Sequence, residues 1–128
     1  MDHQLFEKYI EEAIHEVPEK MRSKISNVAF VIEDSPRAAR ATERAVKARG
    51  VLLGLYQGVP LPKRGVNYGN VLPDKITLFK DTIERLAGND SSSVRKLIRD
   101  VVHHEIGHYF GMSETHVRTL ERKRRSGK

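Results

Sequence analysis

The sequence predicts one small domain, spanning residues 1–128, that combines α-helices with short β-strands. Its 128 residues fit a single domain. Apolar residues recur at helical spacing in residues 2–17 and again in residues 94–108. Between these two segments lie short β-rich runs separated by glycine and proline, a pattern typical of strands and turns.

Residues 2–17 are predicted to form an amphipathic helix. Glutamates occupy the face opposite its apolar stripe. Asp2 is placed to cap the start of the helix, and Pro18 marks its end or the first turn of a short second helix. The apolar stripe consists of Leu5, Phe6, Tyr9, Ile10, Ala13, Ile14 and Val17.

Residues 27–33 form a compact β-rich run bounded by turn-prone residues, and we predict a buried strand in the inner part of a sheet. The next segment is basic. Arg37, Arg40, Arg44 and Lys47 recur among alanines at a spacing that would place them on one stripe of a helix. A solvated face is the expected role of this stripe, and an anionic partner is the alternative.

Glycine and proline punctuate residues 50–73, which indicates loops interrupted by short strands. Residues 51–56, 68–72 and 75–80 are the candidate strands. A short helix is predicted over residues 81–87, after which Asp90 offers a cap for the helix that follows.

The helix predicted over residues 94–108 has an apolar stripe that leads into three residues whose side chains are typical of metal sites. Its apolar members continue directly into His104, Glu105 and His108. Polar side chains on a buried stripe are costly unless they are paired or bind a metal, so their placement favours a ligand role. His103 points away from the stripe and is predicted to be a surface residue. The apolar members are Val94, Leu97, Ile98 and Val101.

His104 and His108 are predicted to bind one zinc ion. Residues four apart lie on the same face of a helix, so both imidazoles can face the same ion. Glu105 is one position round from His104, where it is poorly aimed for a ligand but can take a proton from a water at the metal. We therefore predict that Glu105 is the general base.

A third ligand is predicted after a structural turn at Gly111. A catalytic zinc takes three protein ligands and keeps a position for water, and a single straight helix cannot easily supply all three. Gly111 can adopt a positive φ, end the helix and turn the chain. Glu114 then completes the spacing H-E-x-x-H-x-x-G-x-x-E.

This spacing resembles that of the minimal zincins, small bacterial zincin-like metallopeptidases whose motif reads HExxHxxGxxD. Residues 27–33, 53–58 and 78–80 are also similar to strand and loop segments of that family. The resemblance implies a zincin-like α+β fold in which a small mixed β-sheet packs against an active-site helix and an N-terminal helix. It also implies that an edge strand holds an extended substrate, and we expect one of the three candidate strands of residues 50–80 to serve.

Carried over by position, the resemblance implies zinc ligation by His104, His108 and Glu114, with Glu105 as the base. This chain has glutamate where the family usually has aspartate, and the longer carboxylate of Glu114 can still reach zinc. His116 is the alternative third ligand. If residues 113 onward are helical, positions 114 and 116 point about 200° apart, so only one of them should bind.

Charge is unevenly distributed along the chain. The net charge is +6, of which residues 35–50 supply +4 and residues 117–128 supply +5, so the other 100 residues sum to −3. Basicity therefore belongs to two segments, including a basic C-terminal tail at about residues 121–128. A nucleic-acid partner for these segments is conceivable, but a solvated tail is favoured.

The chain has no cysteine, which excludes disulfides and a thiolate zinc site and fits a reducing cytoplasm. No apolar run approaches the 18 or so residues that span a bilayer, and the first 20 residues lack the apolar core of a secretion signal. We therefore expect a cytoplasmic protein with no membrane partner.

Together these features predict a zinc-dependent metallopeptidase-like hydrolase that cleaves a peptide or protein substrate with a metal-activated water. His116, if it is not a ligand, is near enough in sequence to stabilise the developing oxyanion. Two alternatives stay open. One is a metal-dependent endoribonuclease, although the bacterial family with a related spacing lacks a glutamate directly after its first ligand. The other is a zinc-binding interaction module without catalysis.

Overall fold

A computed structural model of the protein describes residues 1–25, 27–35, 45–48, 51–58, 74–88 and 90–111. Over these residues it contains α-helices and one mixed β-sheet, which confirms the α+β prediction. In chain order the elements are α1 (His3–His15), α2 (Glu19–Arg22), β1 (Val28–Glu33), β2 (Ala45–Ala48), β3 (Val51–Gln57), β4 (Asp74–Phe79), α3 (Lys80–Ala87) and α4 (Ser91–Tyr109).

The sheet has the strand order β1-β4-β3-β2. β1 runs parallel to β4, whereas β3 is antiparallel to both β4 and β2. Gly54 pairs with Leu78, and Tyr56 pairs with Ile76. Because side chains alternate between the two faces of a strand, these four residues share one face of the sheet. Helix α4 lies against that face.

Helix α1 is stabilised by burial of its apolar stripe in the core. Phe6, Ile10 and Ala13 are buried in the same cluster as the apolar residues of α4 and the sheet. The side chain of Asp2 caps the helix by accepting a hydrogen bond from the Gln4 amide at 3.3 Å. The predicted N-terminal helix is therefore confirmed, and the chain enters the short helix α2 directly after Pro18.

Helix α4 starts where predicted. The Asp90 carboxylate accepts hydrogen bonds from the amide of Ser93 at 3.3 Å and from its hydroxyl at 3.0 Å, which satisfies a donor that has no partner within the helix. Val94, Ile98 and Val101 are buried as the apolar stripe predicted. This stripe anchors the helix that carries His104, Glu105 and His108.

The prediction that His103 is a surface residue was wrong. Its ring is half-buried, and Nε2 lies 2.7 Å from the carbonyl oxygen of Ala13, a distance that requires Nε2 to donate. Farther along the same interface Arg95 Nε donates to Glu12 Oε1 at 2.8 Å. Helix α1 packs against the side of α4 that carries Arg95 and His103, and helical periodicity alone does not reveal this contact.

The strand of residues 27–33 exists as β1, but it is not an inner strand. Within the described sheet β1 pairs with β4 alone, and each of its residues is only half-buried. The inner strands are β3 and β4, each of which is paired on both sides. Neither can act as an edge strand that binds substrate, and the third candidate, residues 68–72, lies outside the described residues.

Lys47 lies in strand β2, so at this position the predicted basic helix is wrong. Arg37, Arg40 and Arg44 lie outside the described residues, as does the basic C-terminal tail at about residues 121–128. Among the described residues, no helix combines the length and the apolar character needed to cross a membrane.

Glu84 of α3 is expected to make the stability of the fold depend on pH. Its Oε2 lies 2.9 Å from Lys80 Nζ and 3.2 Å from the Met1 amino group. Burial raises the pKa of Glu84, but hydrogen bonds and attraction from these two cations outweigh burial and hold the pKa below its usual value. A carboxyl whose pKa is lower in the folded state contributes stability above its unfolded pKa, and this stability is lost as pH falls through the folded pKa.

We therefore expect Glu84→Gln to lower the melting temperature at pH 7 and to lower it less at pH 3. Thermal unfolding of both proteins across this range measures the difference. Glu7→Gln, an exposed change on α1, serves as the control and should show no such dependence on pH. An equal penalty for Glu84→Gln at both pH values would contradict the assignment.

Candidate metal centre

Two imidazoles lie side by side in the last two turns of α4. The ring centroids of His104 and His108 are 5.1 Å apart, and the ring planes are inclined by 63°. Both side chains are almost fully buried, with 5% and 6% of their surface exposed. The one-turn spacing of the sequence therefore becomes a pair of buried imidazoles on one flank of α4.

The separation of the two rings fits a shared zinc ion. Two imidazoles that bind one tetrahedral zinc through nitrogens at about 2.0 Å have ring centroids about 5 Å apart. The rings of His104 and His108 already have this separation. Within the part of the chain that the structure describes, no three His, Asp or Glu side chains are grouped as a metal site. A catalytic zinc held by these two imidazoles would therefore need a third ligand from outside the described residues.

Glu105 lies on the face of α4 that packs against the sheet. None of its surface is exposed. One of its carboxylate oxygens lies so close to β3 that a Cβ atom at Gly54 would be 3.5 Å from it. A carboxylate at this depth is expensive to keep charged unless it has partners or a cation nearby, which is the environment that a zinc site provides.

The three candidate site residues, His104, Glu105 and His108, project from α4 in different directions. Glu105 points toward β3. His104 and His108 lie roughly 100° and 60° from it on one side of the helix axis. Arg95 and His103, which contact α1, lie roughly 80° and 160° from it on the other side. The imidazole pair therefore occupies the flank of α4 that is turned away from α1.

The helix ends one residue after His108. Phe110 is the C-cap, and Gly111 follows with a φ of 80°, in the left-handed region that favours glycine. The Gly111 amide donates to the His108 carbonyl at 2.9 Å, which closes the last turn. Glu114 and His116, the predicted third ligand and its alternative, lie outside the described residues, so the choice between them stays a prediction.

Two tyrosines hold the C-terminal end of α4 against its surroundings. The Tyr109 hydroxyl donates to the Lys24 carbonyl at 3.3 Å, and its ring meets that of Tyr56 edge to face, with centroids 6.2 Å apart. The Tyr56 hydroxyl in turn donates to the buried carboxylate of Asp74 at 2.6 Å. These contacts support the turn of helix that carries His108.

Sequence reasoning did not single out Gly54, Tyr56 or Asp74. Gly54 carries the one clear signal, because a glycine within a strand pattern indicates a bulge or the close approach of a neighbour. Tyr56 and Asp74 are 18 residues apart and become partners only through the pairing of β3 with β4. No spacing within either strand predicts that contact.

Comparison with known proteins agrees with this geometry. A family model described as zincin-like metallopeptidase matches residues 25–124, which include both inner strands and the whole of α4. No curated protein matches the sequence at a significant level. Since the family model covers most of the chain and includes the imidazole pair, this protein belongs to the zincin-like metallopeptidase family.

Proposed function

We propose that the protein is a zinc-dependent peptidase. The observation that carries this proposal is the placement of His104 and His108 on one flank of α4, 5.1 Å apart, with the buried Glu105 beside them. This arrangement suits metal-assisted hydrolysis, because the two imidazoles can bind a metal and the Glu105 carboxylate, which is poorly aimed for a ligand, is available as a base. The family match supports a peptide or a protein as the substrate.

His104, His108 and Glu114 would hold the zinc ion. When bound, zinc lowers the pKa of a water molecule toward neutrality and polarises the carbonyl group under attack. The two imidazoles must be neutral to bind, so zinc affinity should fall as they become protonated at acidic pH. His116, if it is not the third ligand, would stabilise the charge that develops on the carbonyl oxygen.

Glu105 would move the proton. Its carboxylate would accept a proton from the attacking water and pass it to the leaving amine, so that one group acts first as a base and then as an acid. Burial against β3 suits this role because it limits the directions in which the carboxylate can turn. The absence of cysteine fits the reducing cytoplasm, which we propose as the location of the protein.

Removal of the metal tests the proposal. Protein dialysed against a strong chelator should lose hydrolysis of a pool of quenched-fluorescence peptides, and about one equivalent of zinc per chain should restore it. Elemental analysis before and after dialysis measures the zinc, and a mock-dialysed sample serves as the control.

Hydrolysis that survives complete loss of zinc would contradict a zinc mechanism. Zinc bound at one equivalent with no turnover on any peptide would identify an interaction module instead.

A further inference from the structure

Strand β3 has a glycine where an interior strand should not favour one. Gly54 is buried and pairs with Val46 of β2 on one side and with Leu78 of β4 on the other. Glycine weakens a strand interior because it adds chain entropy and has no side chain to pack. A glycine in this position indicates that another part of the protein needs the space.

Helix α4 occupies that space. A Cβ atom at Gly54 would lie 2.6 Å from Cγ1 of Val101, closer than atoms of two side chains can approach. It would also lie 3.5 Å from Oε2 of Glu105, which is ordinary van der Waals contact. Val101 and Glu105 are one helical turn apart on the face of α4 that touches the sheet. Only the Val101 contact forces a movement, and Glu105 is carried on the same helix.

We infer that Gly54 is a positioning residue for Glu105: its missing side chain sets the separation between β3 and α4 and thereby the place of the Glu105 carboxylate. The predicted effect on catalysis rests on the proposed function, whereas the predicted position of the Glu105 carboxylate does not. Val101 is the second half of the arrangement, because the helix rests on Gly54 through its side chain.

Gly54→Ala tests the inference, with Val101→Ala as the compensating change. Gly54→Ala should push α4 away from β3, so we expect kcat on the peptide pool to fall roughly 10- to 100-fold, as a small misplacement near reacting groups does. KM and zinc content should stay the same. The double variant Gly54→Ala with Val101→Ala should recover most of the lost kcat, because the added methyl group then has room.

A control separates positioning from general damage. Val94→Ala truncates another buried residue on the same face of α4, two turns earlier, and should lower the melting temperature while leaving the kcat of the folded protein unchanged. A Gly54→Ala variant with unchanged kcat, or one whose lost kcat Val101→Ala does not restore, would overturn the inference.

The predicted position of the Glu105 carboxylate has a readout that does not need activity. In a crystal structure of Gly54→Ala we expect the Glu105 carboxylate to be displaced from its place beside β3, and in the double variant we expect it to return. An unmoved carboxylate would overturn the inference even if the protein cleaves no peptide, whereas inactivity of the wild type alone would count against the proposed function only. If Gly54→Ala does not fold, folding restored by Val101→Ala supports the arrangement, and a double variant that stays unfolded overturns it.

Discussion

Glu105→Gln is expected to abolish most of the hydrolytic activity while leaving zinc in place. Glutamine keeps the size of the side chain but cannot accept the proton of the attacking water. A positioned general base contributes roughly 100- to 10,000-fold to a rate, and we expect kcat to fall within that range. Peptide hydrolysis and elemental zinc, measured on the same sample, would show whether chemistry and binding separate as expected.

The control for this variant is Glu11→Gln, which makes the same chemical change at an exposed position of α1. It should leave both kcat and zinc unchanged. Circular dichroism should show that both variants stay folded, because Glu105 is fully buried and a change there also affects packing. A folded, zinc-loaded Glu105→Gln protein with normal turnover would show that Glu105 is not the base.

The parts of this fold that could be predicted are those that short-range periodicity specifies. The apolar stripe of α4 and the one-turn spacing of His104 and His108 both follow from 3.6 residues per turn, and the structure keeps them. The caps at Asp2 and Asp90 were predictable for the same reason, because each involves a residue and its neighbours within one turn.

What could not be predicted depends on contacts between distant segments. The sequence predicts a surface position for His103 because nothing in its own helix shows that α1, 90 residues away in sequence, contacts that side. The apolar composition of β1 predicts an inner strand, yet the strand order places β1 beside β4 alone in the described sheet. Gly54 carried a signal, but its meaning required the position of Val101.

Replacement of the third ligand is expected to have the other large effect. A catalytic zinc site draws on three protein ligands, and in the proposed site α4 would supply two of them, His104 and His108, whose rings are 5.1 Å apart. Loss of one of three ligands should weaken zinc binding by about 100-fold or more. We expect this loss for Glu114→Ala, measured by competition with a chromogenic chelator, and we expect Glu114→Asp to keep zinc because it restores the spacing that the family usually has.

His116→Ala makes the comparison decisive. If positions 114 and 116 are on one helix, their side chains point about 200° apart and cannot both reach the ion. With Glu114 as the ligand, His116→Ala should keep zinc, and it should lower kcat by roughly 100-fold if the imidazole stabilises the oxyanion. The opposite result, in which His116→Ala loses zinc and Glu114→Ala keeps it, would assign the third ligand to His116. Gly111 has a φ of 80°, which allows the chain to turn directly after α4, and the chelator competition would decide which of the two residues binds.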